Sequence, residues 1–150
     1  MKKILFGFVF LFALSAGNAF GQCDQEALLK QALDDMGDGQ YIKDFVVDLK
    51  KGENDSKTGY VKYSVILNSQ SQYKFNVVNA PSNTEKAQMQ LYDGDKLLAS
   101  NRMDGEIRDA FGFICRSTKV YKLVFSFRGG EEGCARAVLS LTKQLKEGDM

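Results

Sequence analysis

The 150-residue chain contains no histidine, no tryptophan and a single proline. Without an imidazole it cannot build a Ser-His-Asp or Cys-His catalytic site, or most catalytic zinc sites. Only imidazole-free mechanisms stay open, such as paired carboxylates or a serine with a lysine base. The chain also lacks an excess of either charge, because 20 Lys and Arg residues stand against 19 Asp and Glu residues. It therefore lacks the basic footprint of a nucleic-acid-binding protein.

The first residues have the pattern of a secretory signal peptide. Lys2 and Lys3 precede an apolar run over residues 4–16, and small residues follow it. We predict cleavage after Gly21, which leaves one mature domain over residues 22–150; cleavage after Ala19 is the alternative. The run is too short to favour a stable membrane span. The pattern thus predicts an exported protein, periplasmic or extracellular, with no transmembrane span after the signal is removed.

Cys23 follows the predicted cleavage point closely, which raises a second interpretation. In bacterial lipoproteins a cysteine directly after the signal peptide carries the lipid, and the motif has a small residue immediately before that cysteine. Gln22 stands there instead. Lipid anchoring through Cys23 is therefore kept as the minor alternative to a freely exported domain.

One helix and about eight strands are predicted. Asp24 can cap a helix over residues 25–36, and two glycines end it. From Tyr41 onward the apolar period changes from 3.6 to two, which is typical of half-buried strands. The strongest alternation lies between Phe111 and Leu141. We therefore predict an all-β fold, an antiparallel β-sandwich of about eight strands with one short N-terminal helix.

Two segments resemble a known family. These are FGFICRSTKVYKLVFSF at 111–127 and QYKFNVVNAPSNTEKAQMQLYDGDKLLASN at 72–101. They resemble secreted bacterial accessory domains of the pre-peptidase C-terminal type, and also the jelly-roll domain of Golgi-trafficking proteins. The resemblance covers roughly residues 72–141, and its positions include Phe111, Phe113, Tyr121, Leu123 and Phe125. It departs from the family in placing Cys115 in a turn, and in having Val120 where glycine is usual. It implies a jelly-roll sandwich used for adhesion or binding, with no catalytic residues.

Three cysteines in an exported protein predict one disulfide and one cysteine left over. Cys115 and Cys134 both lie at strand ends within the predicted core, so we predict that they pair. Pairing of Cys23 with either of them is the alternative, and it would tie the helix to the sandwich.

Two kinds of ligand site fit the remaining pattern. Loop carboxylates of the type that bind calcium occur at Asp93, Asp95 and Asp104, although ordinary turn chemistry explains them too. Tyr41, Tyr60 and Tyr92 lie at strand starts or ends, where their rings could stack on a sugar. Calcium is the only cofactor with any support, and no cofactor is the main expectation.

The functional prediction is a non-enzymatic binding or assembly module of the bacterial cell envelope. Its partner would be a protein or a glycan and not a nucleic acid. A carbohydrate-binding module is the alternative. An exposed hydrophobic patch or an open sheet edge would favour the first, and a flat tyrosine-lined face would favour the second.

Overall fold

The computed structural model describes residues 23–50 and 59–149. The predicted signal peptide, residues 1–21, lies outside these residues, as does its cleavage point. The described chain forms one α-helix, one short 3-10 helix over Arg128–Gly130 and ten strands: α1 Gln25–Met36, β1 Gln40–Leu49, β2 Tyr60–Leu67, β3 Ser71–Asn79, β4 Ala87–Asp93, β5 Lys96–Ser100, β6 Arg102–Met103, β7 Glu106–Ile107, β8 Ala110–Cys115, β9 Lys119–Phe127 and β10 Gly133–Gln144.

Eight of the strands form two antiparallel four-stranded sheets. Sheet A has the order β1-β10-β3-β8, and sheet B has the order β2-β9-β4-β5. The first strand thus pairs with the last, β2 with β9, β3 with β8, and β4 with β5. This nested pairing is the jelly-roll arrangement. The prediction of an all-β, jelly-roll-like sandwich with a short helix is confirmed. The sequence did not reveal the additional small hairpin of β6 and β7, which lies between β5 and β8.

The core lies between the two sheets and is built from the inward-facing residues of each strand. Phe125 of β9 is fully buried, with its ring centroid 5.9 Å from that of Phe45 and 6.0 Å from that of Tyr63. Phe75 and Phe111 stack at 4.9 Å within sheet A. The alternation read from the sequence therefore assigns the correct faces to these strands.

The helix α1 packs on the outer face of sheet A, over β10, β3 and β1. The backbone N–H of Ala27 donates to the Asp24 carboxylate at 3.1 Å, so Asp24 is the N-cap that the sequence predicts. Leu28 and Ala32 are the buried residues of the helix. The Asn76 amide donates to the Ala32 carbonyl at 2.9 Å and further ties the helix to β3.

The predicted Cys115–Cys134 disulfide is wrong. Cys115 pairs with Ser71 at one end of β3, whereas Ala135, the neighbour of Cys134, pairs with Asn79 at the other end. At ~3.3 Å per residue the two ends of β3 lie about 26 Å apart. A disulfide requires its Cα atoms to lie within about 7 Å of each other.

Cys134 pairs instead with Cys23, at a Cα–Cα distance of 5.7 Å. The bond ties the residue before the helix cap to β10, which is the alternative pairing considered above. The Gln25 amide nitrogen lies 2.9 Å from the Cys23 sulfur and 3.2 Å from the Cys134 sulfur. A sulfur in a disulfide cannot carry a lipid thioether, so this pairing gives no support to lipid anchoring through Cys23. Cys115 is a buried free thiol.

Candidate functional site

The two outer faces of the sandwich differ in what covers them. The helix α1 covers sheet A, whereas no described element packs across the outer face of sheet B. We call this second surface the open face and define it by the outward residues of β2, β9, β4 and β5. These are Tyr60, Lys62, Ser64, Ile66, Val120, Lys122, Val124, Ser126, Gln88, Gln90, Tyr92, Leu97 and Ser100.

Apolar side chains are exposed at one end of the open face. Ile66 of β2 is 68 % exposed, and Val120, directly opposite it on β9, is 60 % exposed. Cβ atoms of such cross-strand neighbours lie about 5 Å apart, so the two side chains form one contiguous patch. Leu97 on β5 adds a third exposed apolar side chain at the far edge of the sheet.

A shallow groove of about 330 Å³ runs across the same face. Aromatic, cationic and amide side chains from β2, β4 and β9 line it, together with the β4–β5 turn. Its lining residues are Tyr60, Lys62, Gln90, Tyr92, Gly94, Asp95, Lys122 and Val124. The groove therefore combines two ring surfaces with two ammonium groups on a rigid sheet.

The outward strand positions of this face carry two lysines and no carboxylate. The Lys62 ammonium lies 5.4 Å from the centroid of the Tyr60 ring. Lys122 stands opposite Tyr92 in the strand register. Within residues 23–50 and 59–149 neither lysine forms an ion pair, and Asp95 is the one carboxylate that lines the groove. The open face is thus cationic, which favours an acidic partner surface.

The structure brings two of the three tyrosines proposed for sugar stacking into this one groove. Tyr60 and Tyr92 both line it. Tyr41 lies on β1 of the other sheet, where its hydroxyl donates to the Asp44 carboxylate. That hydrogen bond and partial burial raise the pKa of Tyr41. Tyr41 therefore belongs to a cluster with Asp44 and Arg136 beside the helix and not to the groove.

The three carboxylates proposed for calcium have separate surroundings. Asp93 forms an ion pair with Lys119, whose ammonium nitrogen lies 2.6 Å from the carboxylate oxygen. Asp95 lines the groove. Asp104 sits in the β6–β7 turn with a positive φ of 53°. Among the described residues, no three histidine, cysteine or acidic side chains are placed together as a metal site would need.

A second concavity of about 540 Å³ lies at one end of the sandwich, beside the disulfide. The end of β1, the β3–β4 loop and the β9–β10 loop surround it. Its lining is mostly polar and includes Asp48, Asn83, Glu131 and Glu132. Asn83 is held in place by two hydrogen bonds with Cys134, from the Asn83 amide to the carbonyl at 2.8 Å and from the Cys134 N–H at 2.9 Å.

Comparisons with known proteins add little to this description. No protein-family model matches the chain, and neither does any curated protein. Among solved structures, the crystal structure of Aeromonas hydrophila PliG, a periplasmic lysozyme inhibitor of g-type lysozyme, aligns with a TM-score of 0.46 and 8 % sequence identity. The alignment covers 70 % of this chain and 89 % of that chain. No helix within the described residues has the length and apolar content to cross a membrane.

The lysines and apolar residues of the open face were not among the functional residues predicted from the sequence. The signal was present in the alternation itself, because Lys62 and Ile66 lie between the inward residues of β2. Lys122 and Val120 alternate in the same way with the inward residues of β9. Which alternate positions remain uncovered depends on where α1 docks, and local sequence does not specify that.

Proposed function

We propose that the protein is an exported, non-catalytic binding module that captures a protein partner on the open face of sheet B. The observation that carries this proposal is the exposed Ile66–Val120 pair on a face that no described element covers. Surfaces of this kind, apolar and rimmed by polar groups, are typical of protein interaction sites. A signal-peptide-like start and a disulfide agree with export.

The chemistry of the partner follows from the chemistry of the face. The apolar pair and the groove tyrosines would pack against apolar or aromatic side chains. Lys62 and Lys122 would meet carboxylates, and this charge complementarity would raise the association rate and exclude basic surfaces. The partner we propose is therefore a protein with an apolar patch bordered by Asp and Glu residues.

The absence of histidine supports a non-catalytic role, because it removes the commonest general base. The thiol of Cys115 is fully buried. The one free thiol of the described residues is therefore closed to a substrate in solvent.

Capture from an envelope extract tests the proposal when it is paired with face variants. The double variant Ile66→Thr/Val120→Thr keeps two β-branched residues and removes apolar surface. Val46→Thr on β1 and Ile114→Thr on β8 are matched controls, because these residues are exposed to 41 % and 43 % on other surfaces. We expect the same protein to be captured by the wild type and both controls and lost with the double variant.

The captured protein is then purified and its affinity measured against all four chains. A loss of affinity at higher ionic strength, and with Lys62→Ala or Lys122→Ala, would support the acidic character of the partner. Equal affinity of the double variant and the wild type would refute the open face as the binding surface.

Sugar binding is the second candidate, and one observation favours it. Tyr60 and Tyr92 line the same groove, as a sugar platform requires. Calorimetric titration with envelope polysaccharide fragments tests it, with Tyr60→Ala and Tyr92→Ala as variants and Tyr41→Ala as the control on the other sheet. If the heat of binding is lost with Tyr60→Ala and Tyr92→Ala and kept with Tyr41→Ala, the groove on the open face binds a glycan.

A further inference from the structure

β2 lies at the edge of sheet B and hydrogen-bonds only to β9 in that sheet. Apart from the ladder with β9, no backbone group of residues 60–67 bonds to another described backbone group. One side of β2 therefore presents a row of N–H and C=O groups that no backbone group of residues 23–50 and 59–149 pairs with. We propose that two copies of this chain pair antiparallel along β2 and form a symmetric dimer with a continuous eight-stranded sheet.

The other three edge strands are less suited to such pairing. The register of β1 shifts between Tyr41 and Lys43, and the Val46 carbonyl of β1 already accepts from the Tyr63 hydroxyl. β5 and β8 have only five and six residues, and β8 contains Gly112. β2 keeps an uninterrupted register over eight residues and has no proline, glycine or bulge. It thus lacks most of the devices that normally protect a sheet edge.

The sequence of β2 is self-complementary in one antiparallel register, centred on Tyr63. In that register Tyr60 lies opposite Ile66 of the second copy, and Lys62 lies opposite Ser64. Aromatic and β-branched cross-strand pairs stabilise a sheet, and like charges directly opposite destabilise it. A register centred on Lys62 would bring two lysines together, and one centred on Ser64 would place Lys62 against Ile66.

The inward side of β2 fits the same register. Val61 would lie opposite Val65 of the second copy, and the two Tyr63 residues would face each other across the dimer axis. Val61 and Tyr63 are packed against the core and remain partly exposed. Pairing would cover both side chains, and it would join the open faces of the two copies. The inference does not depend on the partner proposed above.

Sedimentation velocity of the purified exported protein over a range of concentrations tests the dimer. We expect a reversible monomer–dimer equilibrium in the wild type. Ser64→Lys places a lysine opposite Lys62 of the other copy, twice per dimer, and should raise the dissociation constant roughly 2- to 30-fold. Ser126→Lys adds the same charge on the open face of the central strand β9, and should leave the dissociation constant close to that of the wild type.

A charge-swap variant tests the register itself. Lys62→Glu combined with Ser64→Lys places opposite charges across the dimer axis, so the double variant should dimerise again. Circular dichroism melts confirm that each variant is folded. A wild type that sediments as a monomer at every concentration would overturn the proposal. A dimer that Ser64→Lys leaves unchanged would overturn it equally.

Discussion

The Cys23–Cys134 disulfide closes a loop with a sequence separation of 111 residues, almost the whole described chain. In the chain-entropy model a crosslink of this span stabilises the folded state by about 5 kcal/mol at 25 °C. That value is an upper limit here, because Cys23 lies at the N-terminal end of α1. Without the crosslink, α1 can separate from sheet A before the sandwich unfolds.

The contacts of α1 indicate how much of this limit is realised. Leu28 and Ala32 are its buried residues, and full burial of one leucine contributes about 2 kcal/mol. A helix of 12 residues is marginal on its own, so α1 depends on this docking and on the disulfide. We therefore expect the double variant Cys23→Ala/Cys134→Ala to lose 2–5 kcal/mol of unfolding free energy, a range of roughly the usual size for a native disulfide.

Urea denaturation followed by circular dichroism measures the loss. Cys115→Ala is the matched control, since it removes a buried thiol and keeps the crosslink. Dithiothreitol should lower the midpoint of the wild type and of Cys115→Ala by the same amount, and it should leave the double variant unchanged. Non-reducing peptide mapping should recover Cys23 linked to Cys134. A peptide containing crosslinked Cys115 would refute the reasoning. So would a urea midpoint of the wild type that dithiothreitol does not change.

Two further predictions concern the core and the cluster beside the helix. Phe125→Ala should lower the free energy of unfolding by about 3–5 kcal/mol in urea melts, because the ring is fully buried among other rings. The control Val124→Ala, at the neighbouring outward position, should lower it by under about 1 kcal/mol. A loss for Phe125→Ala as small as that of the control would mean that the faces of β9 are reversed. Partial burial alone would raise the pKa of Asp44, but hydrogen bonds from Tyr41 and Arg136 outweigh it and lower the pKa below 3.8. The stability that this cluster contributes is therefore present above pH 3.8 and is lost as the pH falls through the lowered pKa of Asp44. The difference in unfolding free energy between the wild type and Arg136→Ala should shrink in melts at acid pH. A difference that stays constant with pH would contradict this.

Local pattern was sufficient to predict the helix and the main strands. Asp24 and the residues after it define α1, and period-two alternation defines both the strands and their inward faces. The apolar residues that recur at helical spacing in α1, Leu28, Leu29, Ala32, Leu33 and Met36, would predict a broader buried face than the helix has, since Leu33 is 38 % exposed. The reason is that a helix lying on a sheet buries only the side chains that point at the sheet, and the apolar residues of α1 extend beyond that strip of its surface.

The disulfide and the groove could not be predicted because both depend on which strands are neighbours. Cys115 and Cys134 are near in sequence and both end up at strand ends, yet β8 and β10 flank β3 with these cysteines at opposite ends. Tyr60 and Tyr92 are distant in sequence and line one groove because β9 lies between their strands. The jelly-roll order decides both outcomes, and only long-range pairing establishes that order.

The contrast between the two outer faces bears directly on function. On sheet A, the outward residues Val78 and Cys134 pack with Leu28 of the helix, and a disulfide secures the cover. On sheet B, Ile66 and Val120 are just as apolar and remain uncovered by any described element. Strand propensity alone would be satisfied by threonine at both positions, which would also avoid the aggregation hazard of exposed apolar surface. The apolar pair shares its face with Lys62 and Lys122, which form no ion pair with a described residue, and this combination supports the contact with another protein surface that we propose.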